Sequence, residues 1–161
     1  MIHIAITAGG TEETIDGVRK ITNMSSGSLS WFCLQAVLSY IDRHKIEAYT
    51  IHYIKAPRAV TNELNAEHAS HINFIEVTNT QSVYNTVETL MSEVDVDIFI
   101  HAMAISDFSY AYSVAKSDLA EEIYQQITAN KEISKKEIEA IITNPKSKHS
   151  ADAKISSSQE I

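Results

Sequence analysis

The alternation of short apolar segments with amphipathic stretches constrains the fold of this chain more than any other feature. Four segments rich in β-branched and aromatic residues have the length of buried strands, at residues 2–7, 48–54, 73–77 and 96–101. Strands that alternate with helices require right-handed crossovers and a sheet covered on both faces. The sequence therefore predicts an α/β fold, a Rossmann-like three-layer sandwich with a mostly parallel sheet.

Helices are predicted between and after these strands. Residues 28–43 place seven apolar side chains on one helical face, formed by Leu29, Phe32, Cys33, Ala36, Val37, Tyr40 and Ile41. A cap at residues 78–80 precedes a second apolar stripe, formed by Val83, Val87, Leu90, Met91 and Val94. Weaker helical patterns occupy residues 58–70, 118–128 and 134–142.

The length of 161 residues is sufficient for one buried core. We expect one α/β domain over residues 1–143. Residues 144–161 are rich in Ser and Lys and poor in apolar side chains, which is typical of a mobile tail. From composition alone we expect this segment to be a tail.

Composition excludes several classes of function. A formal net charge of -8 argues against a nucleic-acid groove, which needs a basic field, but leaves room for a single nucleotide. The one cysteine, Cys33, cannot form an intrachain disulfide and is interpreted as a small core residue. No apolar run reaches the ~20 residues of a membrane span, and the N-terminus lacks a basic signal-peptide region. We expect a cytoplasmic protein with no nucleic-acid or membrane partner.

Two small-residue turns flank a polar loop near the N-terminus. The first, Gly9-Gly10-Thr11, follows a strand, and the second, Ser25-Ser26-Gly27, opens a helix. The first amides of a helix have no intrahelical partner and attract anions, and small residues allow close approach. The pattern fits phosphate binding, but it fits a tight turn and a plain serine cap equally well. It is neither a Walker A loop nor a dinucleotide fingerprint.

Polar side chains accompany both candidate loops. Asp16, Arg19 and Asn23 lie in the loop between the turns, where they are suited to position a nucleotide or a carboxylate. Asp107 follows the last strand, at the same predicted edge of the sheet. Its carboxylate is suited to a metal, a ribose hydroxyl or a loop amide, and local capping is the simplest interpretation. His68 and His71 have helical spacing but no third ligand, which argues against a metal site.

Taken together, the motifs resemble phosphopantothenoylcysteine synthetase, the phosphopantothenate–cysteine ligase of coenzyme A biosynthesis, in its monofunctional bacterial form. The matching segments occur in the same order as in that family, at Thr7–Asp16, Val18–Asn23, Ser25–Gly27, His101–Phe108 and Lys154–Ser157. The resemblance is most specific in the first segments and extends with lower specificity over residues 2–161.

The resemblance implies a two-step reaction. The carboxylate of 4'-phosphopantothenate attacks the α-phosphate of CTP or ATP, and pyrophosphate leaves. The amine of cysteine then attacks the acyl-nucleotide, giving the amide and a nucleoside monophosphate. Because two anions must be brought together, positioning and charge neutralisation supply most of the catalysis. The resemblance also implies Mg²⁺ and a homodimer. It makes residues 1–143 a nucleotide-binding domain, and it makes residues 144–161 a flap or tail that continues into a further C-terminal part.

The resemblance assigns roles to particular residues. Asn23 would engage the acyl-nucleotide, and Lys154 would neutralise charge developing on phosphate. Substrate contacts are implied for Asp16, Arg19 and Asn23, and a metal contact for Asp107. The implied nucleotide-binding residues are Gly9, Gly10, Thr11, Ser25, Ser26, Gly27, Met103, Ala104 and Asp107.

The sequence departs from the family pattern at the second turn. Relatives commonly continue Ser-Ser-Gly with Lys-Met-Gly, whereas Ser28-Leu29-Ser30 stands here. Two alternatives to the ligase remain open. One is a nucleotide-binding domain without catalysis, and the other is an NAD(P)-dependent Rossmann oxidoreductase, which the missing fingerprint disfavours.

Overall fold

A computed structural model describes residues 1–129 and 132–149. The elements are β1 (Ile2–Gly10), β2 (Glu12–Thr14), β3 (Lys20–Thr22), α1 (Ser28–His44), β4 (Tyr49–Lys55), α2 (Ala66–Ser70), β5 (Ile72–Glu76), α3 (Thr80–Glu93), β6 (Ile98–Ala104), α4 (Lys116–Ala129) and α5 (Lys135–Thr143). Contacts divide the chain into two compact units, residues 1–13 with 21–109, and residues 14–20 with the described residues from Tyr110 onward. The domain division expected at residue 143 stays a prediction.

The first unit contains a four-stranded parallel sheet in the order β5-β4-β1-β6. In the centre of the sheet, Ile4 of β1 lies opposite Ile51 of β4 and Ile98 of β6. All four strands predicted from the sequence are present, close to their predicted bounds. The short strands β2 and β3, which pair as a separate two-stranded sheet, were not predicted.

Helices cover both faces of the parallel sheet. Because successive strand residues point to opposite faces, Ile6 of β1 packs with Leu34 of α1, whereas Ala5 packs with Val83 and Leu90 of α3. The result is three layers, α1, sheet and α3. The predicted α/β fold with a parallel sheet is confirmed.

The buried face of α1 differs from the predicted one. The sheet contacts a second apolar stripe, formed by Trp31, Leu34, Leu38 and Ile41, which has equally good helical spacing. Of the predicted face only Ile41 is buried, while Leu29, Phe32 and Tyr40 are more than half exposed and Cys33 is half-buried. The prediction was wrong because apolar residues occupy most of the circumference of this helix. Periodicity cannot tell which stripe the sheet selects, and here Trp31 meets Tyr53 of β4 edge-on at 6.1 Å.

The predicted start of α3 is confirmed in detail. Asn79 caps the helix, and its side chain accepts from the backbone N–H of Ser82, whose hydroxyl in turn accepts from the N–H of Asn79. Met91 is 44% exposed, so it lies outside the buried stripe that includes Val83 and Leu90. Among the helices of the described residues, none is both long and apolar enough to cross a membrane.

The second unit contains α4 and α5. The carboxylate of Glu122 on α4 accepts hydrogen bonds from the backbone N–H groups of Lys146 and Ser147, at 3.0 and 2.7 Å, and from the Ser147 hydroxyl. The side-chain hydrogen bond from Ser147, followed by the backbone bond from Lys146, lowers the pKa of Glu122 below its ordinary value. Pro145 is fully buried, and His149 forms an antiparallel bridge with Ser113. The first residues of the expected mobile tail are therefore held in place.

Candidate functional site

The carboxyl ends of β1 and β6 are joined through Thr11. Its backbone N–H donates to the carbonyl of Ala104 at 3.0 Å, and its hydroxyl accepts from the N–H of Ser106 at 2.9 Å. Thr11 is 1% exposed. Its side chain therefore fixes the loop after β6 beside the loop after β1, at the edge of the sheet where the sequence predicts both loops.

Asn23 lies against this junction. Its backbone N–H donates to the carbonyl of Thr11, and its side-chain Nδ2 donates to the carbonyl of Ala104, both at 3.1 Å. The backbone carbonyl of Asn23 accepts from the N–H of Ser25 at 2.8 Å. These contacts anchor the Asn23 side chain at the carboxyl edge of the sheet, and its amide oxygen has no hydrogen-bond partner among the described residues.

The start of α1 is a close-packed glycine turn. Gly27 has φ 74°, and a β-carbon there would lie 3.0 Å from Cβ of Ala59 and 3.1 Å from the backbone nitrogen of Gly9. Gly9 has φ 92° and packs against Ala56 and Ala59. Both glycines are buried, so they allow close packing of the loops after β1 and β4. A larger residue at position 27 would disturb the helix start itself, beyond any crowding of a ligand.

The serines before α1 are exposed or half-buried. The hydroxyl of Ser26 accepts from the N–H of Ser28 at 3.3 Å and lies 2.8 Å from the Ser28 hydroxyl. The cap residue of α1 is Gly27, without a side-chain cap, and the first turn contains no acidic residue. Nothing in this turn therefore repels an anion from the positive end of the helix dipole.

A cavity of about 340 Å³ opens at this edge of the sheet. It brings together four of the predicted site residues, Gly10, Asn23, Ser25 and Ser26. Its remaining lining residues are Glu12, Thr22, Met24 and Arg58, none of which the sequence singled out. Arg58 follows β4 at the carboxyl edge, but one arginine after a proline gives no recognisable pattern.

The other predicted residues of the first unit lie outside the cavity lining. Met103 is 7% exposed and belongs to the core beneath α3. Ala104 contributes its carbonyl, which accepts from both Thr11 and Asn23. Asp107 is exposed, and the described residues contain no cluster of three or more acidic, histidine or cysteine side chains able to hold a metal. The metal and nucleotide roles of these residues stay predictions.

Asp16 and Arg19 belong to the second unit and bind each other. Oδ2 of Asp16 accepts from Nε and Nη2 of Arg19 at 3.0 and 2.7 Å, and Oδ1 accepts from the backbone N–H groups of Val18 and Arg19. The Asp16 carboxylate is fully buried, whereas the Arg19 side chain is 41% exposed. Asp16 thus shapes its own loop and orients Arg19. Lys154 lies outside the described residues.

Known proteins resemble this chain over most of its length. The family of DNA/pantothenate metabolism flavoprotein C-terminal domains matches residues 1–136. The coenzyme A biosynthesis bifunctional protein CoaBC of Vibrio vulnificus is 31% identical over 134 residues, which cover 81% of this chain and 30% of the relative. The chain thus spans less than a third of that protein's length.

Solved structures share the fold. The DNA/pantothenate metabolism flavoprotein from Streptococcus pneumoniae superimposes with a TM-score of 0.62 at 28% identity, covering 100% of this chain and 57% of that one. The Cab2 H337A mutant in complex with phosphopantothenate-cysteine superimposes with a TM-score of 0.52 over 73% of this chain and 48% of that one. At 15% identity, the second match shows a shared fold.

Proposed function

Because the chain belongs to the family of DNA/pantothenate metabolism flavoprotein C-terminal domains, we propose that it acts in coenzyme A biosynthesis as a phosphopantothenate–cysteine ligase. In the proposed reaction, the carboxylate of 4'-phosphopantothenate is activated by CTP or ATP with loss of pyrophosphate. The amine of cysteine then displaces the nucleoside monophosphate to form an amide. The similar Cab2 structure is a complex with phosphopantothenate-cysteine.

The observation that carries this proposal is the cavity at the carboxyl edge of the parallel sheet. Three separate parts of the ligase-like sequence pattern meet there: Gly10 after β1, the anchored Asn23, and Ser25-Ser26 before α1. Ligands of open α/β sheets bind at this edge. Motifs that are separate in the sequence therefore line one cavity, as the parts of a single binding site would.

The residues divide the proposed chemistry between them. The first turn of α1 and the serines before it would receive the nucleotide phosphates, since small side chains allow close approach and the positive end of the helix dipole favours an anion. Asn23 would hold the acyl-nucleotide by accepting a hydrogen bond at its amide oxygen. Alternatively, its Nδ2 would donate to the acyl-nucleotide in place of the carbonyl of Ala104. Fixing the two reactants side by side supplies most of the barrier lowering expected of such a site.

The remaining roles belong to the same proposal. Mg²⁺ is usually bound by one or two carboxylates together with substrate phosphates, and the exposed Asp107 carboxylate fits that donor set. Bound there, the ion would neutralise charge on the leaving pyrophosphate. Asp16 would orient Arg19 toward substrate, Lys154 would neutralise developing phosphate charge, and the chain would assemble as a homodimer.

The test separates the two half-reactions. The chain is supplied with 4'-phosphopantothenate and either CTP or ATP, with and without cysteine, while nucleotide binding, pyrophosphate release and amide formation are measured. We expect pyrophosphate to depend on phosphopantothenate, and amide to depend on cysteine as well. Nucleotide binding without pyrophosphate release would favour a non-catalytic nucleotide-binding domain. Dependence of neither product on phosphopantothenate would refute the ligase.

A further inference from the structure

Arg58 has an unusual setting in the site cavity. Its guanidinium Nε lies 3.3 Å from Oε1 of Glu12, and the two side chains are 78% and 6% exposed. The two terminal nitrogens of the guanidinium have no hydrogen-bond partner within the described part of the chain. Arg58 thus forms an ion pair through its inner nitrogen, and its two outer nitrogens keep their N–H groups available to a ligand of the cavity that Arg58 lines.

The charges of Glu12 and Arg58 indicate which kind of ligand the cavity would accept. Glu12 places a buried carboxylate beside a cavity in a chain whose net charge is -8, a setting that repels anions. Arg58 is the one cationic side chain among the described residues that line the cavity. A guanidinium binds phosphate oxygens with two parallel hydrogen bonds, and an existing carboxylate contact reduces the freedom it loses on binding.

We propose that Arg58 binds a phosphate group of a substrate in this cavity, and that Glu12 is the positioning residue that holds it ready. The identity of the substrate rests on the proposed ligase function, which offers two sources of phosphate. These are the phosphate of 4'-phosphopantothenate and the triphosphate of the nucleotide. The shared chemistry is a phosphate accepting from the outer N–H groups of Arg58 next to Asn23 and Ser26.

The first test is calorimetric binding of four probes: inorganic pyrophosphate, CTP, ATP and 4'-phosphopantothenate. Arg58→Gln is expected to weaken at least one of them by about tenfold or more, since a hydrogen bond to a charged group is lost. The probe that weakens identifies the source of the phosphate. Arg58→Lys keeps the charge without the fork and should give intermediate affinity.

Arg43→Gln is the matched control. Arg43 lies in the last turn of α1, at the opposite end of the helix from the cavity, and its removal changes the net charge equally. It should bind all four probes as the wild type does. Equal weakening by Arg43→Gln and Arg58→Gln would reduce the effect to overall charge and overturn the proposal.

A double variant separates direct contact from simple neutralisation. If Arg58 only cancels the charge of Glu12, then Glu12→Gln should restore affinity to Arg58→Gln. If Arg58 contacts the phosphate, the double variant should remain as weak as Arg58→Gln alone. Circular dichroism and the thermal midpoint establish that each variant is folded, and Arg58→Lys provides the comparison if Arg58→Gln is not.

The possible results distinguish a failure of the Arg58 contact from a failure of the proposed ligase function. Arg58-dependent pyrophosphate binding without amide formation would support the phosphate contact and refute the ligase. Amide formation with unchanged probe affinities in Arg58→Gln would support the ligase and overturn the contact. A folded wild type that binds none of the four probes would overturn both.

Discussion

Gly10 and Asn23 are in direct contact, because a β-carbon at position 10 would overlap the backbone carbonyl oxygen of Asn23. The glycine is therefore required by a protein backbone that crosses the end of β1. The same crossing is fixed by the hydrogen bond from Asn23 N–H to the carbonyl of Thr11. The first glycine turn thus shapes the site by letting the loop with Asn23 lie close to the sheet.

Gly10→Ala is expected to displace the loop that contains Asn23. Relieving the overlap requires a backbone shift, so we expect destabilisation of about 1–3 kcal/mol together with a loss of the proposed ligase activity. The free energy of unfolding from urea denaturation measures the first effect. Gly17→Ala is the matched control, because a β-carbon there has nothing within 4 Å. Its stability should change by less than about 0.5 kcal/mol. Equal effects at both positions would contradict the overlap.

Asn23→Asp is expected to affect the second half-reaction more than the first. The substitution keeps the shape of the side chain and removes the N–H donor to Ala104. It also places a negative charge where we propose that the anionic acyl-nucleotide binds. Amide formation should therefore fall further than pyrophosphate release, measured in single turnovers with and without cysteine. Equal losses in both half-reactions would indicate that Asn23 acts only by holding the loop.

The buried and exposed apolar stripes of α1 predict very different losses of stability for substitutions at Leu34 and Phe32. Leu34 is fully buried against the sheet, so Leu34→Ala should cost about 2–5 kcal/mol. Phe32 is 69% exposed, so Phe32→Ala should change stability by less than about 0.5 kcal/mol. Thermal and urea unfolding measure both. A larger loss from Phe32→Ala than from Leu34→Ala would restore the face predicted from the sequence.

The comparison on α1 shows what periodicity supplies and what it omits. Strand positions were predictable because each strand is a short apolar run between breakers, and the capping residue Asn79 has a local signature. The buried side of α1 was not predictable, since two apolar stripes have equally good helical spacing and only contact with the sheet distinguishes them. The ion pair between Glu12 and Arg58 joins residues 46 positions apart, and no local pattern links them. Asn23 was identified by its motif, but its anchor on Ala104 required the structure.

The burial of His52 predicts that the first unit loses stability in acid. Burial, and to a smaller extent neighbouring His3, lowers the pKa of His52 below its ordinary 6.5. The unfolded chain therefore binds a proton more readily than the folded chain, and stability is lost as the pH falls below about 6.5. His52→Gln should flatten that loss in urea unfolding between about pH 7 and 5, whereas His44→Gln, at an exposed position, should leave it unchanged. An unaltered pH profile in His52→Gln would assign the acid sensitivity to other groups.

Lys154 tests the family resemblance where structure gives no support, since this residue lies outside the described part of the chain. The segment leading to it is fixed by Glu122, which binds Lys146 and Ser147, and by the bridge from His149 to Ser113. A lysine near developing phosphate charge typically lowers the barrier by a few kcal/mol, so Lys154→Gln should reduce kcat by about 10²–10³-fold. The thermal midpoint should stay near that of the wild type.

Lys148→Gln is the matched control for Lys154→Gln. Lys148 lies six positions earlier and donates to Asn144 at 2.7 Å, so its removal changes the charge of the same segment by the same amount. We expect it to retain nearly full turnover and to lose at most a little stability, because an exposed polar contact of this kind contributes little. Wild-type turnover in Lys154→Gln, or equal losses in both variants, would show that Lys154 has no specific part in phosphate chemistry.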